Sequence, residues 1–239
     1  MNSPAHSAPV PVLKGISSMA TRQLLTVLLA LYAKQGGSEL QLESVGGVDA
    51  AKRVRAGEVF DIVFLASDAI DKLVAAGHLD GASRVDLAHS GVALAVKAGA
   101  PRPDISTAEA VRAAVLAARN ISYSTGPSGV ALAKLFEDWG ITGQLQGRIV
   151  TAPPGVPVGS LVASGEVELG FQQLSELMHL RGITLLGNLP EAIQITTTFS
   201  AAIDTASPHQ PEARALLQFL NSAQAADTIR QQGMDPARA

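Results

Sequence analysis

In this 239-residue chain the hydroxyl and glycine residues gather in one kind of place: the turn that ends a short apolar run and opens a helix-patterned run. The fullest case is ISYSTGPSGVALAKLFEDWG, Ile121 to Gly140, where Ser124, Thr125, Gly126, Ser128 and Gly129 crowd one turn. A helix N-terminus presents unpaired backbone N–H groups and the positive end of its dipole, so hydroxyls beside it make a cradle for an anion. A single such turn needs only one hydroxyl, capping the helix. The pattern recurs in six turns: GISSMAT (Ser17, Ser18, Thr21), ESVGGVD (Ser44, Gly46, Gly47), LASDAID (Ser67, Asp68), YSTGPSG, TAPPGVPVGS (Thr151, Ser160) and GFQQLSE (Gln172, Gln173, Ser175). None of them contains Lys or Arg. The chemistry on offer is neutral-donor binding of a small anion.

Other chemistries find little to work with. Neither G-x-G-x-x-G nor G-x-x-x-x-G-K-[ST] occurs, so no dinucleotide or nucleotide fingerprint is present. The chain has no cysteine, and its five histidines (His6, His78, His89, His179, His209) stand far apart. No metal and no cofactor are expected. The titratable groups near the turns are Asp68, Asp49, His89, Tyr123 and Glu43. Asp68 and Asp49 read as helix caps, Glu43 as solvent-facing and His89 as a marker of a strand crossover. If the site moves a proton, Asp68 is the candidate base.

A net charge of −3 with scattered basic residues argues against a nucleic-acid partner, and 4% aromatic content against stacking platforms. No segment reaches the roughly 20 apolar residues of a membrane span, so no membrane insertion is expected. Read from Met19, MATRQLLTVLLALYAKQGG has the basic start and apolar run of an export signal. It reads better as an amphipathic helix with Leu24, Leu25, Leu28, Leu29 and Tyr32 on one face, preceded by the strand VPVLKGIS. As written, then, the chain is expected in the cytoplasm, or in the periplasm where an export signal has been removed. A transporter permease is a partner only in the second case.

Strand-like and helix-like runs alternate almost throughout, which predicts an α/β fold with helices on both faces of parallel sheets. The strands are VPVLKGIS, LQLESV, FDIVFLAS, GVALAVKAG, NISYS, GRIVTA and VELGFQQ. The helices are Ala20–Lys34, Asp49–Ala56, Asp68–Ala76, a stretch opened by a Ser106/Glu109 capping box, the helix after STGPSG, Val158–Ala163, Ser175–Leu180, Pro211–Leu220 and Ala223–Gln232.

Five stretches together resemble the type 2 solute-binding proteins, in the molybdate-binding-protein-like branch. They are GISSMAT, FDIVFLASDAIDKLVAAGHL, the run from Ser90 to Gly129, LVASGEVELGFQQLSEL and ALLQFLNSAQAADTIRQQGMDP. The resemblance implies two Rossmann-like lobes with mainly parallel sheets, joined by two strand crossovers and closing on an anion. SGVALAVKAG and AIQITTTFSAAI suit the crossovers. Lobe I is then 1–88 plus 193–239, and lobe II is 89–192. Carried over by position, the ligand contacts fall on Ser17 or Ser18, on Ser44, on Ser124, Thr125 and Ser128, on Gly155 and Val156, and on Gln172 or Gln173. Gln replaces the family's tyrosine, and Val45-Gly46-Gly47 replaces a serine-rich run, so a larger polycarboxylate is expected in place of molybdate. A branch similar to this one contains an aconitate isomerase, which makes an isomerase of an unsaturated polycarboxylate the alternative to a plain anion-binding protein.

Overall fold

A computed structural model describes residues 11–152 and 156–238. Strands β1 (Leu13–Ser18), β2 (Leu40–Val45) and β3 (Ile62–Ala66) are parallel, with β1 in the middle. Helices α1 (Arg22–Lys34) and α2 (Gly47–Arg55) connect them, and α3 (Ser67–Ala75) follows β3. Strand-helix-strand units of this kind bring the carboxyl ends of the strands to one edge. The remaining elements are β4 (Val85–Lys97), α4 (Ala108–Ala117), β5 (Ile121–Tyr123), α5 (Pro127–Asp138), α6 (Val158–Ser164), β6 (Leu169–Gln173), α7 (Leu174–Leu177), β7 (Ile183–Asn188), β8 (Thr196–Ile203), α8 (Gln210–Leu220), α9 (Ala223–Gln231) and β9 (Asp235–Pro236).

The strand order is β2-β1-β3-β8-β4-β6-β5, with β7 and β9 also paired to β4. The long strand β4 changes partners along its length. Residues Val85 to Gly91 pair with β8, and Val92 to Lys97 pair with β6 and β7. The fold is α/β as the alternation predicts, but the sheet is mixed rather than mainly parallel. The β1–β2, β1–β3 and β5–β6 ladders are parallel, whereas β3–β8 and every ladder of β4 are antiparallel. The cause is the path of the chain. β7 and then β8 run back along β4 in the same sense, opposite to the way β4 took the chain out.

Each strand group is covered on both faces. All five residues of β3 are buried; Ile62, Phe64 and Ala66 pack with residues of α1, α8 and α9, while Val63 and Leu65 pack with α2 and α3. That two-residue alternation is the pleat of a doubly covered strand, and it is why the stretch reads as one unbroken apolar run. In β4, Val92, Leu94 and Val96 face a core shared with α4 and α5, and Ala93 and Ala95 pack with Leu177 of α7. The Met19 stretch is a helix of this interior, with Leu24, Leu25 and Leu28 buried.

Candidate functional site

The parallel register of β1 and β2 places Ser17 opposite Ser44, and the two hydroxyls stand 2.7 Å apart. Ser17 and Ser18 are buried and Ser44 half-buried. A Cβ added at Gly47 would lie 3.5 Å from that of Ser18, so the first and second turns meet at the start of α2. Ser67 is the first residue of α3 and half-buried, at the end of β3 next in the sheet. Gly46 is exposed and precedes α2.

On the other strand group, β5 and β6 run in parallel register with Tyr123 opposite Phe171, which brings the STGPSG and QQLSE turns to the same edge. Ser124 and Ser128 share a 3.0 Å hydroxyl contact, and neither caps α5, whose N-cap is Gly126. Gly129 cannot be replaced without strain, since a Cβ there would sit 1.6 Å from the Ser124 carbonyl oxygen. Thr125 is exposed, and so is Val156; Gly155 lies outside the described residues.

The glutamines are buried and engaged with protein partners. Gln172 Oε1 accepts from the Gly159 N–H at 3.0 Å, and its Nε2 donates to Glu176 Oε1 at 2.8 Å. Gln173 bonds Thr197 Oγ1 at 2.9 Å; with its amide turned, the nitrogen also donates to Ser90 Oγ at 2.8 Å. Ser175 Oγ donates to the Ala20 carbonyl at 3.0 Å, tying α7 to the first turn. Three neighbours of the site therefore escaped the sequence reading. Ser90 and Thr197 lie in the crossover strands, where TTTFS carried an unread run of hydroxyls. Glu176 follows Gln172 by four residues, a spacing that by itself does not set it apart from a solvent-facing carboxylate.

The titratable candidates have different surroundings. Asp68 is exposed and caps nothing; it stands 3.5 Å from Lys72 one turn along α3. Asp49 likewise caps nothing and lies exposed near Lys52. Both fall within the first helical turn, one or more residues past the cap, which is the physical reason the capping expectation fails. The capping-box expectation also slips by one residue, since the cap of α4 is Thr107, accepting from the Ala110 N–H. Glu43 receives two hydrogen bonds from Arg53, which hold its carboxyl below the usual range. Tyr123 is pushed up by burial, and His89 Nδ1 lies 3.0 Å from Thr198 Oγ1. Glu176 is the exception among carboxyls: burial raises it to about 7, only partly offset by the Gln172 amide. No cluster of metal-ligating residues occurs among the described residues.

The family model for bacterial extracellular solute-binding proteins matches residues 13–235. The chain belongs to that family. This solute-binding protein is 38% identical over 237 residues to an aconitate isomerase from a Pseudomonas species, covering 97% of this chain and 90% of that one. Among solved structures, it superposes on the periplasmic molybdate-binding protein of Azotobacter vinelandii with a TM-score of 0.78, covering 93% of this chain and 98% of that one at 22% identity. The sulfate-binding protein of Mycobacterium tuberculosis gives 0.76 over 95% and 87% at 17% identity. These likenesses establish the type 2 solute-binding fold. No helix among the described residues is long and apolar enough to cross a membrane.

Proposed function

We propose that this solute-binding protein holds a small polycarboxylate between two lobes, 1–88 plus 193–239 and 89–192. The observation that carries the reading is the 38% identity to an aconitate isomerase over nearly the whole chain, combined with turns whose donors are hydroxyl and N–H groups. Paired hydroxyls at Ser17–Ser44 and at Ser124–Ser128 supply one set of donors from each lobe. In each pair one hydroxyl can turn its hydrogen toward an incoming carboxylate while accepting from the other. Asp68 is exposed beside Lys72 and is not assigned a part in the chemistry.

Titration calorimetry with trans-aconitate, citrate and molybdate tests the proposal. A tricarboxylate should bind and molybdate should not; tight molybdate binding with no tricarboxylate heat returns the protein to the oxyanion carriers. Ser44→Ala and Ser124→Ala each remove one hydrogen bond to a charged ligand, which weakens binding by roughly 1.5–3 kcal/mol. Two variants that bind like wild type would place the ligand elsewhere.

A second reading is favoured by the same relative and by Glu176, a carboxyl held near neutrality beside these turns. In it the bound polycarboxylate is isomerised by moving a proton and a double bond. Incubation with cis- or trans-aconitate, followed by chromatography, decides between capture and turnover. A carrier would need a membrane permease as partner, and an isomerase would not.

A further inference from the structure

We propose that Glu176 is the acid–base group that carries the proton from one carbon of the bound polycarboxylate to another, an inference that rests on the isomerase reading above. The geometry is specific to this residue. α7 follows β6 without a connecting loop, so Glu176 sits at the carboxyl end of a strand, where ligands of such sheets bind. Its neighbour Ser175 is fastened to the Ala20 carbonyl of the first turn. Its own Oε1 is fixed by Gln172, whose amide is fixed in turn by the Gly159 N–H of α6. Glu176 is thereby held at a junction of the first, fifth and sixth turns. Its other oxygen has no hydrogen-bond partner among the described residues and is the one available to a substrate.

The other carboxylates near the turns are matched to cations: Glu43 to Arg53, Asp49 to Lys52 and Asp68 to Lys72. Glu176 makes no ion pair among the described residues, and burial alone poises it near neutrality. The elements packed around it bring few charges. The residues of α6, β6, β7 and the first turn, Met19 to Thr21, include no titratable side chain. α1 carries Arg22, Tyr32 and Lys34; in β4, Asp86 pairs with Arg84, Lys97 is bonded to the Ser164 carbonyl and His89 to Thr198. In α9, Arg230 pairs with Asp227, and His179 just past α7 bonds Gln232.

The step balances without a co-reactant. In a three-carbon unit CH2–C=CH bearing carboxylates, the Glu176 carboxylate takes one methylene hydrogen as a proton. The C–H electron pair spreads over the three carbons and the attached carboxylate. Protonated Glu176 then returns the proton to the former vinylic carbon, and the double bond re-forms between the other two carbons. Protons and oxidation state are unchanged overall. A carboxyl poised near the working pH serves both the removal and the return.

The test is proton NMR of the full chain with trans-aconitate in heavy water, which reads interconversion and deuterium uptake together. Glu176→Gln keeps the acceptor oxygen facing Gln172 and is expected to lower turnover at least ~100-fold while still binding trans-aconitate by calorimetry. Glu176→Asp retracts the carboxyl by one methylene and should lose roughly 100-fold, retaining a rise of kcat with pH. Wild-type kcat should itself rise as pH passes through the neutral range. Either variant turning over at the wild-type rate, or a wild-type kcat flat across that range, overturns the proposal and leaves the isomerase reading standing. A wild-type protein that binds trans-aconitate yet neither interconverts it nor exchanges its protons overturns that reading and this proposal together.

Discussion

A carboxyl group without a cationic partner is uncomfortable where water is scarce, and the half-buried Glu176 shows the consequence. Desolvation disfavours its charged form and raises it to about 7, while the Gln172 N–H partly restrains the rise. Because the folded value lies above the ordinary 4.5, the group's contribution to stability is fully present in acid, below 4.5, and is lost as pH rises through 7. At 1.36 kcal/mol per unit, the change between pH 5 and pH 8 is roughly 2–3 kcal/mol. Glu176→Gln is neutral at every pH and escapes that loss. Urea denaturation at both pH values should therefore show the variant gaining about that much on wild type at the alkaline end. A gap that does not move with pH would mean that water reaches both carboxyl oxygens. The exposed Asp68–Lys72 and Asp49–Lys52 pairs contribute roughly 0–1 kcal/mol each.

At the scale of elements, the sharpest constraint is the first turn of α5. Gly129 N–H bonds the Gly126 carbonyl, and the helix starts so close to Ser124 that even a methyl group meets its carbonyl oxygen. Backbone cannot yield as a flexible side chain can, so Gly129→Ala should cost roughly 1–3 kcal/mol and part Ser124 from Ser128. Thermal denaturation and calorimetry should register both losses; a variant with wild-type melting and affinity would contradict the close approach. This turn also shows what the sequence makes legible. Glycines and hydroxyls after ISY point to an unusual helix start, and the apolar periods locate β1 to β3, β5, β6 and the nine α-helices among the described residues. β7 is not legible in the sequence because its residues are only partly buried and Gly187, at φ +131°, interrupts the pattern. GRIVTA has the pattern of a strand, yet it contributes only a single bridge between Ile121 and Ile149. Glu176 was illegible for a different reason. Its surroundings depend on Gly159 reaching Gln172 across 13 residues of chain, a contact that no local spacing encodes.

For the molecule as a whole, the proposed clamp requires two strand groups with separate cores to act on one ligand. They are joined through β4 and β8, and α7 ties them a second time. This short helix belongs to the 89–192 stretch, yet Ser175 bonds Ala20, His179 bonds Gln232, and Leu174 and Met178 lie against Gly233. Closing on a ligand by a hinge at the crossovers must therefore carry α7 with it or slide it over α1 and α9. Either way, a ligand held by both groups stabilises the closed form against unfolding by RT ln(1 + [L]/Kd), about 2.7 kcal/mol at a hundredfold excess over Kd. For a chain of this size that corresponds to a rise in melting temperature of roughly 5–10 °C. Trans-aconitate should produce this rise in calorimetric melting of wild type, together with a fall in the radius of gyration in small-angle scattering. Ser175→Ala, which unties α7 from the first turn without touching either hydroxyl pair, should shrink the ligand-induced rise. A full rise with unchanged radius of gyration would place the whole site within one strand group, and the two-lobe clamp would have to be abandoned.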